Sequence, residues 1–188
     1  MRAEEPGQGP PRVVGIVGYS NAGKTTLIEK LVRRFRAQGL RVAVVKHAHH
    51  GFDMDRPGKD SYRYREAGAG QVLIAAGLRW ALLTETPQRA ATLESLLPRL
   101  DPCDLVLVEG FRAEGSFPRI EVRRRGIDEP PLFPRDPQVL AVAADHVVPT
   151  TLPCLDLNDI AMIADFVART VDLDACRRGG DESAEQAQ

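Results

Sequence analysis

Apolar positions along the chain follow two rhythms. Short unbroken runs mark buried strands, and spacings of three and four mark helical faces. The run RVVGIVG, beginning at Arg12, is apolar, β-branched and closed by glycine, which predicts a buried strand. From Thr26 onward, Leu27, Ile28, Leu31, Val32 and Phe35 fall on one helical face, and Gly39 stops that helix. RVAVVKH, ending at His47, is a second buried strand. A strand–helix–strand unit of this kind favours a right-handed parallel crossover.

Downstream, SYRYREAGA predicts a short helix with Asp60 or Ser61 as N-cap. QVLIAAG and LRWALLTE are apolar runs set closely around Gly77, which predicts a hairpin and therefore a mixed sheet. QRAATLESLLPRL reads as a helix, DLVLVEG as a buried strand, PRIEVRR and VLAVAAD as further strands, and DIAMIADFVARTV as a closing amphipathic helix. Alternating strands and helices define an α/β fold with a mostly parallel central sheet and helices on both faces. Ligands are then expected at the carboxyl ends of the strands.

Residues 1–11 are rich in proline and glycine, and the end, CRRGGDESAEQAQ, lacks an apolar anchor. Both read as flexible tails flanking a single domain over residues 12–173. The chain has 188 residues, enough for one sizeable core. Its formal charge of −1 argues against a generally basic nucleic-acid binder. No apolar run is long enough to span a membrane, and the N-terminus lacks the apolar core of a signal peptide. Cys103, Cys154 and Cys176 are odd in number and widely spaced, which suits free thiols in a reducing cytoplasm.

Candidate chemistry begins between the first strand and the first helix. Gly18-Tyr-Ser-Asn-Ala-Gly-Lys24-Thr25 matches G-x-x-x-x-G-K-[ST] at every fixed position. The glycines let the backbone curl so that successive N–H groups of Gly18, Asn21, Ala22, Gly23, Lys24, Thr25 and Thr26 cradle an anion. The helix N-terminus adds unpaired donors and a positive dipole end. Lys24 reaches the β- and γ-phosphates, and the Thr25 hydroxyl suits Mg²⁺. The expected ligand is a nucleoside triphosphate. The matching acidic residue is Glu109, at the end of DLVLVEG, where it can hold the metal or its water shell. Asp104 stands at the opposite end of that strand, too far away at ~3.3 Å per residue.

A second cluster, VVKHAHHGFDMDRPGKDS, begins at the carboxyl end of the second strand. Lys46 is a second cation for the triphosphate, and His47 stands on the same rim. Asp53 and Asp55 are candidates for holding metal-bound water or for positioning an attacking water. His47, His49 and His50 together could ligate a transition metal, although their spacing is neither a zinc-finger nor an H-E-x-x-H pattern.

The phosphate loop, KHAHHGFDMDRPGKDS, AGA at Ala67–Ala69, LVLVEGFR and FPRIEVRR occur in that order. This succession resembles molybdopterin-guanine dinucleotide biosynthesis protein B (MobB) over roughly residues 12–170. The resemblance implies a P-loop NTPase-type three-layer fold that binds GTP with Mg²⁺, hydrolyses it weakly and is a homodimer. It also implies an adapter role beside the guanylyltransferase that joins GMP to the molybdenum cofactor, with molybdopterin as a further contact. By matching position, Gly18 to Thr26 hold phosphate, Thr25 and Glu109 flank Mg²⁺, and Lys46 to Asp55 border the nucleotide. The lysine-bearing second strand and the VEG strand end are also similar to the wider class that includes dethiobiotin synthetase.

The usual guanine-reading N-K-x-D is absent. Its nearest counterpart is Asp145, after VLAVA, whose carboxylate can accept two N–H bonds from guanine. Arg112, Arg119, Arg123, Arg124 and Arg125 form a basic stretch. It is either a solvated face on an edge strand or a surface for an anionic pterin phosphate or acidic partner. Two other functions compete: a small-molecule kinase or P-loop ligase, and a metal-delivery GTPase using the histidine cluster.

Overall fold

A computed structural model describes residues 12–48, 55–112 and 114–173. The chain divides into two compact units, one built on the segments up to His47 and from Pro98 onward, the other on Ala48–Leu97. The sequence alone predicts one domain over residues 12–173. Both tails, and with them Cys176, lie outside the described residues, as do His49, His50 and Asp53.

The larger unit contains β1 (Arg12–Val17), α1 (Lys24–Ala37), β2 (Val42–Lys46), β5 (Leu105–Glu109), β6 (Arg119–Arg123), β7 (Val139–Ala144), β8 (Cys154–Asp156) and α4 (Ile160–Thr170). Its six strands lie in the order β2-β5-β1-β6-β7-β8, and every pairing is parallel. All strand ends therefore point the same way, so Val17, Lys46, Glu109, Arg123 and Ala144 share one rim. β8 carries no clear sequence signal, because three residues are too short to show alternation.

Strand alternation sorts the side chains. Val14, Ile16, Leu105, Leu107, Ile120, Val122, Ala141 and Ala143 form one cluster with Leu27, Ile28, Leu31 and Phe35 of α1 and Ile163, Ala164 and Val167 of α4. Both long helices of this unit thus pack on the same face of the sheet. Helix α1 ends in a Schellman pattern: Gly39 N–H donates to Arg36 O, and Leu40 N–H reaches Phe35 O at 3.1 Å. Gly39 has φ 84°, the left-handed turn that glycine makes without strain. Helix α4 is capped by Asp159, which accepts from Met162 N–H at 2.9 Å.

Loops cover the opposite face beside β6 and β7. Glu121 is fully buried there and accepts from the N–H groups of Leu132 and Phe133 and from the Arg123 guanidinium, all within 3.0 Å. Arg119 is equally buried, clamps Asp136 at 3.0 and 3.1 Å, and lies over the Phe117 ring. Burial of a carboxylate or guanidinium is tolerated when its charge is paired in this way. β6 is therefore an interior strand, not the edge strand considered from the sequence. Arg119 and Arg123 hold the loop down instead of forming a solvated basic face.

The smaller unit holds α2 (Asp60–Glu66), β3 (Gln71–Ala76), β4 (Arg79–Thr84) and α3 (Leu93–Leu96). β3 and β4 form the expected hairpin, with Ala76 opposite Arg79 and a tight turn at Gly77, φ 50°. The hairpin is a separate two-stranded sheet, so the central sheet is parallel throughout and not mixed. The N-cap of α2 is Lys59, one residue before the expected position, with no side-chain cap bond. The helix expected over residues 88–100 shrinks to one turn. Thr92 and Ser95 start it with a capping box, and Leu97–Arg99 continues only as a 3-10 turn, since Pro98 supplies no N–H.

Candidate functional site

The loop from Gly18 to Thr25 leaves β1 and turns directly into α1. Gly18 has φ 142°, and a Cβ there would lie 2.5 Å from the Val122 carbonyl oxygen of β6. Only glycine lets the two backbones approach so closely. Asn21 (φ 63°) and Gly23 (φ 94°) are left-handed, the alternation that gathers N–H groups into an anion nest. Gly23 is the N-cap of α1, without a side-chain cap bond, and no acidic residue occupies the first turn. The donors and dipole end of α1 thus face outward with no acidic residue of the helix's own first turn against them, and Glu109 reaches Thr25 of that turn from β5. Ala22 is buried beneath the loop, while Thr26 lies in the first turn of α1.

Lys24 extends back over this nest and donates to Tyr19 O at 2.7 Å. Burial pushes its ammonium below the ordinary lysine value; Glu109 opposes that shift, and Arg112 and Lys46 reinforce it. A cation under such repulsion gains from an arriving anion. Arg112 donates to Gly18 O and lies over the Tyr19 ring, 5.0 Å from its centroid. Two adjacent loop carbonyls are thereby held by cations, and the Tyr19 carbonyl also accepts from Ala22 N–H at 3.3 Å.

Parallel register places Lys46 of β2 opposite Glu109 of β5, and Glu109 opposite Ile16 of β1. The Glu109 carboxylate stands 3.5 Å from Lys46 Nζ and 3.2–3.3 Å from Thr25 Oγ1. Neighbouring oxygens around an octahedral Mg²⁺ with bonds near 2.1 Å lie about 3 Å apart. The hydroxyl–carboxylate pair fits that ion in both chemistry and spacing. Among the described residues, no group of three or more His, Cys, Asp or Glu side chains gathers elsewhere as a metal site.

His47 serves the rim itself. Its N–H donates to Glu109 O at 2.8 Å, its Cβ fills the space beside Gly110, and its ring packs on Phe111 at 4.7 Å. A Cβ on Gly110 would come within 2.9 Å of the His47 Cβ, at φ 91°. Asp55 belongs to the smaller unit. Its buried carboxylate accepts from Ser61 Oγ at 2.6 Å and pairs with Arg65 at 3.4 Å, an anchor for α2.

A second polar group borders the loop on the side of β6 and β7. Arg124 follows β6, with its guanidinium 3.5 Å from where a Cβ on Gly23 would stand. Asp145 follows β7. Its Oδ1 accepts from Arg125 N–H at 2.8 Å and lies 2.9 Å from His146 Nδ1; its Oδ2 faces Arg124 at 3.9 Å. The His146 and Arg125 bonds hold the Asp145 carboxyl below its usual range. The two oxygens thus differ, one engaged twice and one turned to Arg124.

The larger unit therefore assembles Gly18, Asn21, Ala22, Gly23, Lys24, Thr25, Thr26, Lys46, His47 and Glu109 at one end of the sheet, with Asp145 beside the loop. Strand parity in the sequence already sets Arg124 apart from Arg123 and Arg125. The signal left unused is the position of Arg112, three residues beyond Glu109.

Comparisons agree with this architecture. A family model described as molybdopterin guanine dinucleotide synthesis protein B matches residues 13–145. The chain is 45% identical over 157 residues to a molybdopterin-guanine dinucleotide biosynthesis adapter protein of Haemophilus influenzae, covering 82% of this chain and 86% of that one. It is 41% identical over 158 residues to the adapter protein of Escherichia coli, covering 82% and 90%. A crystal structure of molybdopterin-guanine biosynthesis protein B (mobB) superposes with a TM-score of 0.67 at 30% identity, over 84% of this chain and 98% of that chain.

Replacing Lys24 by Ala separates binding from folding. The lysine is a desolvated, repelled cation, so the variant should melt within about 1 kcal/mol of the parent. Triphosphate affinity should fall by about 2–3 kcal/mol or more, the worth of a charge-assisted contact. Thermal melting and calorimetric titration check both; undiminished affinity would remove Lys24 from the site.

Proposed function

Because the chain belongs to the molybdopterin guanine dinucleotide synthesis protein B family, we propose that it is an adapter in the synthesis of the guanine dinucleotide form of the molybdenum cofactor, and that it works by binding GTP with Mg²⁺ at the Gly18–Thr26 loop. The observation that carries the nucleotide reading is the convergence of Lys24, Thr25, Lys46 and Glu109 on the N-terminus of α1. Lys24 exchanges the Tyr19 carbonyl for phosphate oxygens. Thr25 and Glu109 would hold Mg²⁺, which supplies charge neutralisation to the phosphates. Lys46, already on Glu109, places a second cation at the same edge.

The described groups around the loop bind and neutralise charge. The reading joins slow hydrolysis to this binding role. Binding energy of this kind orders loops and presents a surface to a partner. The partner proposed here is the guanylyltransferase that attaches GMP to molybdopterin, in the cytoplasm. No helix among the described residues is long and apolar enough to cross a membrane.

The same reading includes a homodimer. In the β3–β4 hairpin, Leu73 pairs with Leu82 and Ala75 with Trp80, so all four side chains share one face. Leu73 and Trp80 are each 61% exposed and Leu82 is 42% exposed. An isolated two-stranded sheet is marginal in water, and a second copy would cover this face. Sedimentation should give a dimer for the parent chain and a monomer for Trp80→Glu; an unchanged dimer would move the interface elsewhere.

Titrating GTP into the purified chain should show micromolar or tighter binding with Mg²⁺ and weaker binding without it. Glu109→Gln should reduce the Mg²⁺ dependence more than the binding itself. Equal affinity with and without the metal in the parent chain would separate Glu109 and Thr25 from any metal role.

A further inference from the structure

The phosphate loop has two polar flanks. Lys46, Glu109, Thr25 and Arg112 on the β2–β5 side supply what phosphates and a hard cation need. The other flank holds Arg124, Asp145 and His146, at the ends of neighbouring strands β6 and β7. These groups are partly exposed, unlike Arg119 and Glu121 on the same strand, so burial does not account for them.

The donor and acceptor pattern is specific. The Arg124 guanidinium carries only N–H donors. It stands at hydrogen-bond range from neither oxygen of Asp145, with Oδ2 at 3.9 Å. Next to it, that Oδ2 is an acceptor. Donor and acceptor side by side, within a few ångströms of the α1 N-terminus, match a flat ring bearing an acceptor beside an N–H. A 6-oxopurine has this edge: O6 beside N1–H. Adenine places an amino donor where O6 would be, so it meets the Arg124 donors with its own.

Asp145 also limits how much of the base is read. A carboxylate that grips both N1–H and the 2-amino group of guanine needs both oxygens. Here Oδ1 is already engaged by Arg125 N–H at 2.8 Å and by His146 Nδ1 at 2.9 Å. One oxygen is left for the base.

The geometry points to a nucleobase subsite formed by Arg124 and Asp145 Oδ2 that selects 6-oxopurines through O6 and N1–H and is nearly blind to the 2-amino group, with His146 blocking the second aspartate oxygen. This deepens the proposed function and rests on it. Arg124 is the discriminating residue, because it supplies the donor that adenine cannot use. Its place over Gly23 keeps the base end of the ligand beside the phosphate end.

The test is a calorimetric panel of Mg²⁺ complexes of GTP, ITP and ATP on the full chain and its variants. In the parent chain GTP and ITP should bind within about threefold of each other, and ATP roughly tenfold more weakly. Arg124→Ala should bring GTP close to ATP, with the GTP-to-ITP ratio unmoved; Arg124→Lys should keep part of the preference. His146→Ala removes one of the two donors on Oδ1, leaves the Arg125 N–H bond, opens a lone pair to the 2-amino group and should raise GTP severalfold over ITP. ITP as weak as ATP in the parent chain would show that the 2-amino group is read and overturn the inference. ATP as tight as GTP would overturn it too, while leaving the phosphate site standing. Failure of all three nucleotides to bind would overturn the nucleotide reading and this inference with it.

Discussion

The rim depends on the in-register parallel pairing of β2, β5 and β1. That pairing puts Lys46 opposite Glu109 and Glu109 opposite Ile16, one residue before the strand β1 ends. Three separate stretches of sequence thus deliver a cation, a carboxylate and the start of a phosphate loop to one place. Glu109 shares the parity of Leu105 and Leu107 on the α1 side, where it meets Thr25, so a one-residue slip would turn it to the opposite face and bring an apolar neighbour to its place. The buried apolar residues of β5, Leu105 to Val108, resist such a slip because both faces of the strand are covered.

The second constraint is close approach. Gly18 lies against the Val122 carbonyl and Gly110 against His47, so strands β6 and β2 set the positions of the loops at β1 and β5. β6 is itself fixed by Glu121, whose bonds to Leu132 and Phe133 N–H pin the following loop to the sheet. Removing one partner from such a buried network typically costs about 3–5 kcal/mol. The polar interior on this face therefore acts as scaffolding for Arg124, which leaves β6 immediately after Arg123.

Local patterns were legible in the sequence, and long-range ones were legible only in part. The strand, glycine loop and helix from Arg12 to Gly39 carry their own signals, and the structure reproduces them. Glu109 could be named because a carboxylate ending an apolar run has few other places to go. The arginines could not be sorted without the sheet: Arg119 looks like a surface residue until Phe117 and Asp136 are seen to enclose it. Asp55 looked free because Ser61 and Arg65 reach it across a turn. Asp145 could be nominated, but the unequal use of its two oxygens depends on Arg125 and His146 in three dimensions. The hairpin was evident from Gly77, whereas its separation from the central sheet is a tertiary fact.

The most direct test of the central claim is amide hydrogen exchange with and without Mg²⁺ and GTP, read by mass spectrometry. The account predicts slowed exchange at Gly18–Thr26, at Glu109–Arg112 and at Arg124–Arg125, because ligand oxygens and the base would occupy the groups those segments present. Unchanged exchange over Gly18–Thr26 in the presence of saturating nucleotide would contradict it.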